Sequence, residues 1–454
     1  MNKLSSKQPP SPKTPTWLTT ILWWLWPTKM MDRYQKQFGP IFTLPLTGLA
    51  TTIIISDPKI IKEVFTGPPE EFLAGKGNTP MIPILGEGSL FLLDKSEHKR
   101  HRKLLMPPFH GSRLGSYAKT MREITVQMMQ RWPQVQPFEI QDSLRASALE
   151  IILRTVFGVD DQKYLDKFKR ALDSFLSIVG TPLGALVLVP HFQVDLGPWS
   201  PWGKYKRLRQ ASDEMIYEHI HLRKNELKQG IHRDDVLAML IQTVDEDGQS
   251  LSDRELRDEL ITMIVAGHET TATTLTWAIE QILAHPTVMQ KVQEEIDTVL
   301  GDRPVNAEDL SALVYLDATL REVMRLRPIV AFVSRYLMKP TTVGGYDFPA
   351  GVRLAPSVYM THRNPEVYEN PTQFCPERFL DNRPNPYSWL AFGGGDRRCI
   401  GAAFALFEMK IILSTIFQRS RLTLCEHKPV SFTRRSITLA PKSGVKVSVN
   451  TCIL

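Results

Sequence analysis

Phe392-Gly393-Gly394-Gly395-Asp396-Arg397-Arg398-Cys399-Ile400-Gly401 is the most specific stretch of the chain, and an apolar helical pattern, Ala402 to Phe417, follows it directly. Glycines present backbone N–H groups with no side chain in the way. Cys399 thus sits just ahead of a helix N-terminus. The positive helix end and the cations of Arg397 and Arg398 are expected to lower its pKa and favour thiolate.

A thiolate serves as a nucleophile or as a metal ligand. A nucleophile needs a base; no motif supplies a paired histidine, although His362 is a candidate neighbour. A structural zinc site needs further Cys or His at fixed spacing. The other cysteines, Cys375, Cys425 and Cys452, form no C-x-x-C pair. One thiolate with N–H donors to its sulfur suits a single-ligand haem iron.

Working outward, Ser252 and Glu255 form a capping box, and an apolar pattern runs from there to about Leu283, where His285-Pro286 stops it. More than thirty residues make a helix of about 45–50 Å. Its centre reads Ala266-Gly267-His268-Glu269-Thr270-Thr271. Glycine in mid-helix costs about 1 kcal/mol relative to alanine. Thr270 is placed to turn its hydroxyl onto the Ala266 carbonyl and loosen the ladder. Glu269 is either a proton donor beside a groove or a solvated surface acid, with Gly267 a simple helix crossing.

A helical pattern from Leu313 to Arg327 carries Glu322 and Arg325 three residues apart on one face. Such a pair is ordinarily a weak surface contact, but an apolar loop, Ile329 to Val333, follows it. Arg335 lies in an apolar strand and wants an anionic partner; a buried carboxylate would serve.

The remainder is mostly helical between about Ile60 and Gln418. Strand signals lie at Ile41–Leu44 and Thr51–Ser56, at Thr341–Val343, Tyr346–Phe348 and Val352–Leu354, and at Ser436–Leu439 and Val445–Val449. Phe72 to Leu93 reads as an irregular glycine- and proline-rich loop, and Phe175 to Pro190 as two broken helices or an apolar loop. The fold class is therefore mainly α with a smaller antiparallel β part. A Pro- and Trp-rich tail over residues 1–39 precedes one domain over residues 40–454.

Hydrophobic residues at 43% and charged residues at 23% of 454 exclude disordered, collagenous and coiled-coil chains. Four cysteines are no disulfide framework, which points to a reducing, cytoplasmic compartment. Lys and Arg outnumber Asp and Glu by 55 to 48, with no nucleic-acid motif, so the excess is a solvated basic face or a dock for an acidic protein. Trp17 to Trp26 is too short to span a membrane and no signal-peptide cleavage site follows it. Behind Lys3, Lys7 and Lys13 it suits contact with a membrane surface, or else packs on the body as a tail.

Taken together, these motifs resemble those of the haem-thiolate cytochromes P-450. The signature F-x-x-G-x-R-x-C-x-G is met by Phe392, Gly395, Arg397, Cys399 and Gly401. Ala266 to Thr271 is similar to the family's oxygen-activation motif, and Glu322 with Arg325 to its E-x-x-R. Pro376-Glu377-Arg378-Phe379 resembles its meander and Asp94 to Phe109 its haem-edge helix. There the usual Trp-x-x-x-Arg stands as His98-x-x-x-Arg102. Order and spacing hold from about residue 40 to the end.

The resemblance implies a long central helix over haem b (iron protoporphyrin IX). Cys399 would be the iron ligand, with His98, Arg102, Arg335 and Arg397 on the propionates. Phe392, Ala266 and Gly401 would also contact the haem. Glu322, Arg325 and Arg378 would be structural, and Glu269 and Thr270 catalytic, delivering protons to dioxygen. The implied activity is a monooxygenase acting on an apolar fatty acid, alkane or terpenoid, through pocket walls drawn from residues 72–93, 175–190, 266–270 and 329–333. No dinucleotide fingerprint is present, so electrons are expected from a ferredoxin or flavodoxin with its NAD(P)H reductase, docked at Arg397, Arg398 and Lys410. A haem-thiolate peroxygenase or isomerase, or a non-catalytic haem-binding protein, are the alternatives.

Overall fold

A computed structural model describes residues 8–48, 50–111, 113–134, 136–179, 193–381, 384–426, 430–435 and 438–452. The helices used below are α1 (Thr16–Leu25), α2 (Pro27–Phe38), α3 (Pro58–Thr66), α4 (Lys95–Leu105), α5 (Ile140–Thr155), α6 (Asp253–Ala284), α7 (Val314–Leu326) and α8 (Ala402–Arg419).

The long helix forms where its caps require it. The Ser252 hydroxyl accepts from the Glu255 N–H at 3.3 Å, and the Glu255 carboxylate accepts from the Ser252 N–H at 2.7 Å. At 32 residues, α6 spans about 48 Å. Every residue from Thr271 to Ile282 is buried. Its interior threonines satisfy their hydroxyls along the helix: Thr274 donates to the Thr270 carbonyl at 2.8 Å and Thr276 to that of Ala272 at 2.7 Å. A largely apolar helix with self-satisfied hydroxyls fits a dry core. Trp277, Leu275 and Ile279 of α6 share one core with Ile151 and Ile152 of α5 and with Ile411 and Ile412 of α8.

The main sheet has the order β1 (Ile41–Leu44), β2 (Thr52–Ile55), β8 (Arg353–Pro356), β5 (Arg335–Leu337) and β3 (Phe72–Leu73). β1 and β2 are the expected hairpin, Ile41 opposite Ile55, turning at Gly48 with φ +75°. β2 and β8 pair in parallel, Ile53 beside Leu354. This is the one parallel pair among otherwise antiparallel pairs of the described strands, and it arises because the two strands are far apart in the chain with no tight turn between them. β6 (Thr341–Val343) and β7 (Tyr346–Phe348) make a hairpin. β4 (Phe138–Glu139), β12 (Lys446–Cys452) and β9 (Ser420–Leu424) form a third sheet, and β10 (Phe432–Arg435) pairs with β11 (Thr438–Pro441).

Two segments differ from expectation. Residues 74–85 are one-turn helices, Ala74–Gly77, Thr79–Met81 and Ile82–Leu85, rather than irregular chain; prolines at 80 and 83 suit first helical turns. Residues 175–179 end a regular helix, Gln162–Val179; residues 180–190 of that expected lining lie outside the described residues. At the other end, Trp23, Met31 and Tyr34 of α1 and α2 share a core cluster with Phe42, Ile54 and Tyr359.

Candidate active site

The cysteine loop is fixed by its own backbone. The Cys399 N–H donates to the Phe392 carbonyl at 2.9 Å, and Gly393 N–H to that of Leu390 at 2.9 Å. A Cβ on Gly394 would lie 2.2 Å from the Phe65 ring of α3, and one on Gly395, at φ +63°, 2.6 Å from the Phe65 carbonyl oxygen. These glycines seat the loop on α3, more than they bare N–H groups. Gly401 differs: a Cβ there would meet nothing within 4 Å, and its contribution is an N–H donated to the Cys399 sulfur. The Phe392 ring packs edge-on against Trp389, centroids 5.9 Å apart.

The expected lowering of the Cys399 pKa is overturned. Burial pushes the thiol up, and this outweighs the Gly401 N–H and the charges of Arg102 and Arg398. The thiol is enclosed by protein, while the residue as a whole keeps accessible surface. Desolvation of the anion wins because one N–H and two guanidiniums do not replace the water lost. Coordination to a cation removes a thiol proton outright.

Around it stand the expected side chains, His98, Arg102, Arg335 and Arg397. Burial, then Arg397, Arg102 and Arg335, push His98 down to about 3, so it is neutral. Arg335 is buried and pushed down to about 10 by desolvation. The expected carboxylate partner is not there: its guanidinium donates to the carbonyls of Ser334 at 3.0 Å and Gly394 at 3.1 Å. Arg102 donates to the Arg398 carbonyl at 2.8 Å. Among the described residues, none of His98, Arg102 and Arg335 makes an ion pair. Arg397 does, with Asp94 at 2.6 Å. A buried guanidinium without a carboxylate calls for an anion from elsewhere. This donor set fits haem b: Cys399 would offer sulfur to the iron, and Arg335 with Arg102 would offer N–H groups to the propionates.

On α6, Ala266 is exposed, between half-buried Val265 and Gly267. Thr270 donates its hydroxyl to the Ala266 carbonyl at 2.5 Å, as its position in the sequence predicts. Gly267 is a helix crossing: a Cβ there would come within 3.0 Å of Ile152 on α5. Glu269 is half-buried and engaged in an ion pair. Arg145 of α5 donates one guanidinium nitrogen to both its carboxylate oxygens, at 2.7 and 2.5 Å. Arg145 was not legible as a site residue because nothing local distinguishes it from a surface cation. Glu408 of α8 was also missed. It is fully buried beside Thr271, and desolvation pushes its carboxyl up to about 8.

The Glu322–Arg325 pair of α7 is fully buried, Nε to Oε2 2.6 Å and Nη2 to Oε1 2.8 Å. Arg325 also donates to the carbonyls of His362, Pro371 and Gln373. Glu322 accepts from the Cys375 N–H at 2.9 Å and lies 3.5 Å from Arg378. His362 is no base for Cys399. Its Nδ1–H donates to the Arg325 carbonyl at 3.1 Å and its Nε2 accepts from the Leu390 N–H at 2.7 Å. Burial pushes it down to about 3, so it ties the pair to the start of the cysteine loop as a neutral ring.

Of the three cations expected to meet an electron donor, two are engaged. Arg397 holds Asp94, and Lys410 donates to the Leu310 carbonyl at 2.9 Å and lies 3.4 Å from Asp317. Arg398 is exposed, and so are Lys95 and Lys99 of α4.

The family model described as Cytochrome P450 matches residues 9–449. A protein with the provisional name cytochrome P450 137, from Mycobacterium tuberculosis, is 36% identical over 92% of this chain and 85% of its own length. Cytochrome P450 135B1 of Mycobacterium bovis, also provisionally named, is 34% identical over 97% of this chain and 91% of its own. Among solved structures, retinoic acid-bound cyanobacterial CYP120A1 superposes with a TM-score of 0.84 at 27% identity, covering 98% of this chain and all of that one. On the motifs, the site and these matches, the chain belongs to the cytochrome P450 family.

Proposed function

We propose that this P450 hydroxylates or otherwise monooxygenates an apolar organic molecule with electrons from a separate iron–sulfur or flavin protein. The observation that carries the reading is the Cys399 loop: one enclosed sulfur near Arg102 and Arg398, in a cluster whose buried Arg335 has no carboxylate partner among the described residues. As in the family generally, the cofactor is haem b. When bound, it supplies the binding and reductive activation of dioxygen.

The chain's residues do the rest. Cys399 gives its sulfur to the iron, and the Gly401 N–H with Arg102 and Arg398 stabilises charge on that atom. Arg335, Arg102 and neutral His98 donate hydrogen bonds to carboxylates. Thr270 spends its proton on the Ala266 carbonyl, which leaves its hydroxyl oxygen free to accept from water. Glu269, about one-fifth exposed at its side chain, takes protons from solvent and passes them toward Thr270, with Arg145 holding it between transfers. This acid–threonine pair favours a reductant- and dioxygen-driven enzyme over a peroxygenase or isomerase.

Walls offered by residues 72–93, 266–270 and 329–333 are largely apolar and carry few charges. They suit a fatty acid, alkane or terpenoid, and the solved neighbour's retinoic acid is likewise a long apolar molecule. Exposed Arg398, Lys95 and Lys99 offer an acidic ferredoxin or flavodoxin a docking face. The test is the carbon monoxide difference spectrum of the reduced protein, wild type against Cys399→Ser. Loss of the thiolate band in the variant supports the reading; a wild type that binds no haem refutes it. Turnover with hydrogen peroxide alone, at the rate seen with reductant and oxygen, would instead select the peroxygenase.

A further inference from the structure

Helix α1 turns its apolar side outward. Trp17, Ile21, Trp24 and Leu25 are 60%, 46%, 44% and 59% exposed, and Trp26, which caps the helix, is 51% exposed. The spacing i, i+4, i+7, i+8 puts the first four on one face. The opposite face is fastened down. Trp23 is buried against Phe332, ring centroids 5.7 Å apart. Arg434 of β10 stacks on Trp23 and Trp24 and donates to the Trp23 carbonyl at 3.4 Å. The Thr47 N–H donates to the Thr20 hydroxyl at 2.8 Å. The outward stripe is therefore held in place, not a helix caught undocked.

The next helix supplies charge. Lys29, Arg33 and Lys36 of α2 are all exposed and stand at i, i+4 and i+7. Lys13, just before α1, is exposed too. The acid among them, Asp32, points to the Tyr359 hydroxyl at 3.1 Å and leaves that face basic. At ten residues α1 is half of what a bilayer crossing takes, and no helix among the described residues is long and apolar enough to cross a membrane.

We propose that α1 and α2 form a docking surface for the face of a lipid bilayer bearing anionic headgroups. α1 would lie in the interface with its tryptophans at headgroup depth, and α2 would add electrostatic attraction. A second copy of the chain fits less well, because three like charges on α2 would repel their symmetry mates. The inference stands independently of the haem-thiolate reading.

The holoprotein is tested by flotation with phosphatidylcholine vesicles, with and without phosphatidylglycerol. Binding is expected to the anionic vesicles and to weaken in high salt. Lys29→Glu/Arg33→Glu/Lys36→Glu should weaken it by at least about a hundredfold, at roughly fivefold per lost basic residue. Trp17→Ser/Ile21→Ser should abolish it. Both variants should keep the wild-type reduced carbon monoxide spectrum, which also reports that they fold. Should either fail to fold, quenching of wild-type tryptophan fluorescence by brominated lipid reads the same contact, and its absence counts against the surface. No flotation, equal flotation of wild type and both variants, or a dimer in solution that Trp17→Ser/Ile21→Ser dissolves would each overturn the proposal.

Discussion

Arg145 holds both carboxylate oxygens of Glu269 on a single guanidinium nitrogen, across the crossing of α5 and α6. The acid beside Thr270 is thus aimed by a residue more than a hundred positions away. Glu269→Gln keeps the shape but carries no proton to transfer. Turnover should fall about a hundredfold, the low end for loss of a positioned acid, while substrate-binding spectra stay unchanged. Measuring product formed per reductant consumed checks it; an unaltered yield and rate would remove Glu269 from proton delivery. Arg145→Gln should lower turnover with substrate-binding spectra unchanged, because the Glu269 carboxylate loses the guanidinium that positions it.

The Glu322–Arg325 pair has no exposure at either side chain. Removing one partner strands a buried charge, at a cost of about 3–5 kcal/mol. Glu322→Ala and Arg325→Ala should each yield protein that does not retain haem. Arg325→Lys should fare little better, since a lysine cannot serve the carboxylate and three carbonyls at once. Thermal unfolding and haem content after purification decide the matter; a Tm within a few degrees of wild type would contradict it.

Arg335 spends two of its donors on backbone carbonyls and has no carboxylate in contact among the described residues. If its remaining donors hold a propionate, Arg335→Gln should weaken haem retention about 10- to 100-fold, matching about 1.5–3 kcal/mol for a charged hydrogen bond. Haem transfer to apomyoglobin measures this. The iron–sulfur spectrum should not move, which separates the role from that of Cys399.

His101 of α4 bridges to α6, Nδ1 to Glu259 at 2.8 Å and Nε2 to Glu255 at 3.1 Å. Burial alone would depress it, but the two carboxylates prevail and its pKa stands above the ordinary 6.5. A raised pKa means that the folded state binds the proton more tightly. The stabilisation is complete below pH 6.5 and drains away as pH rises through the folded value. Glu259, pushed up to about 6 by burial, moves stability the same way between its ordinary 4.5 and 6. Wild-type Tm should therefore fall above pH 6.5 more steeply than that of His101→Gln. Parallel curves would show that His101 is not charged in the fold.

Much of this molecule was legible in local pattern. Ser252 with Glu255, and His285 ahead of proline, bracket the long helix because capping is decided within four residues. Thr270 reaches the Ala266 carbonyl because i−4 bonding is local too. Cys399, in a glycine-bearing loop just before a helix, stood out as the candidate ligand by residue type and spacing. Three matters were settled only by chain segments meeting across the fold. Burial reversed the sign of the Cys399 shift, since desolvation depends on what surrounds a sulfur rather than on its neighbours in sequence. Arg397 and Lys410 were drawn off by Asp94 and Asp317. The partners of Glu269 and of His362, Arg145 and Leu390, come from distant helices and loops, and long-range contacts leave no periodicity to read.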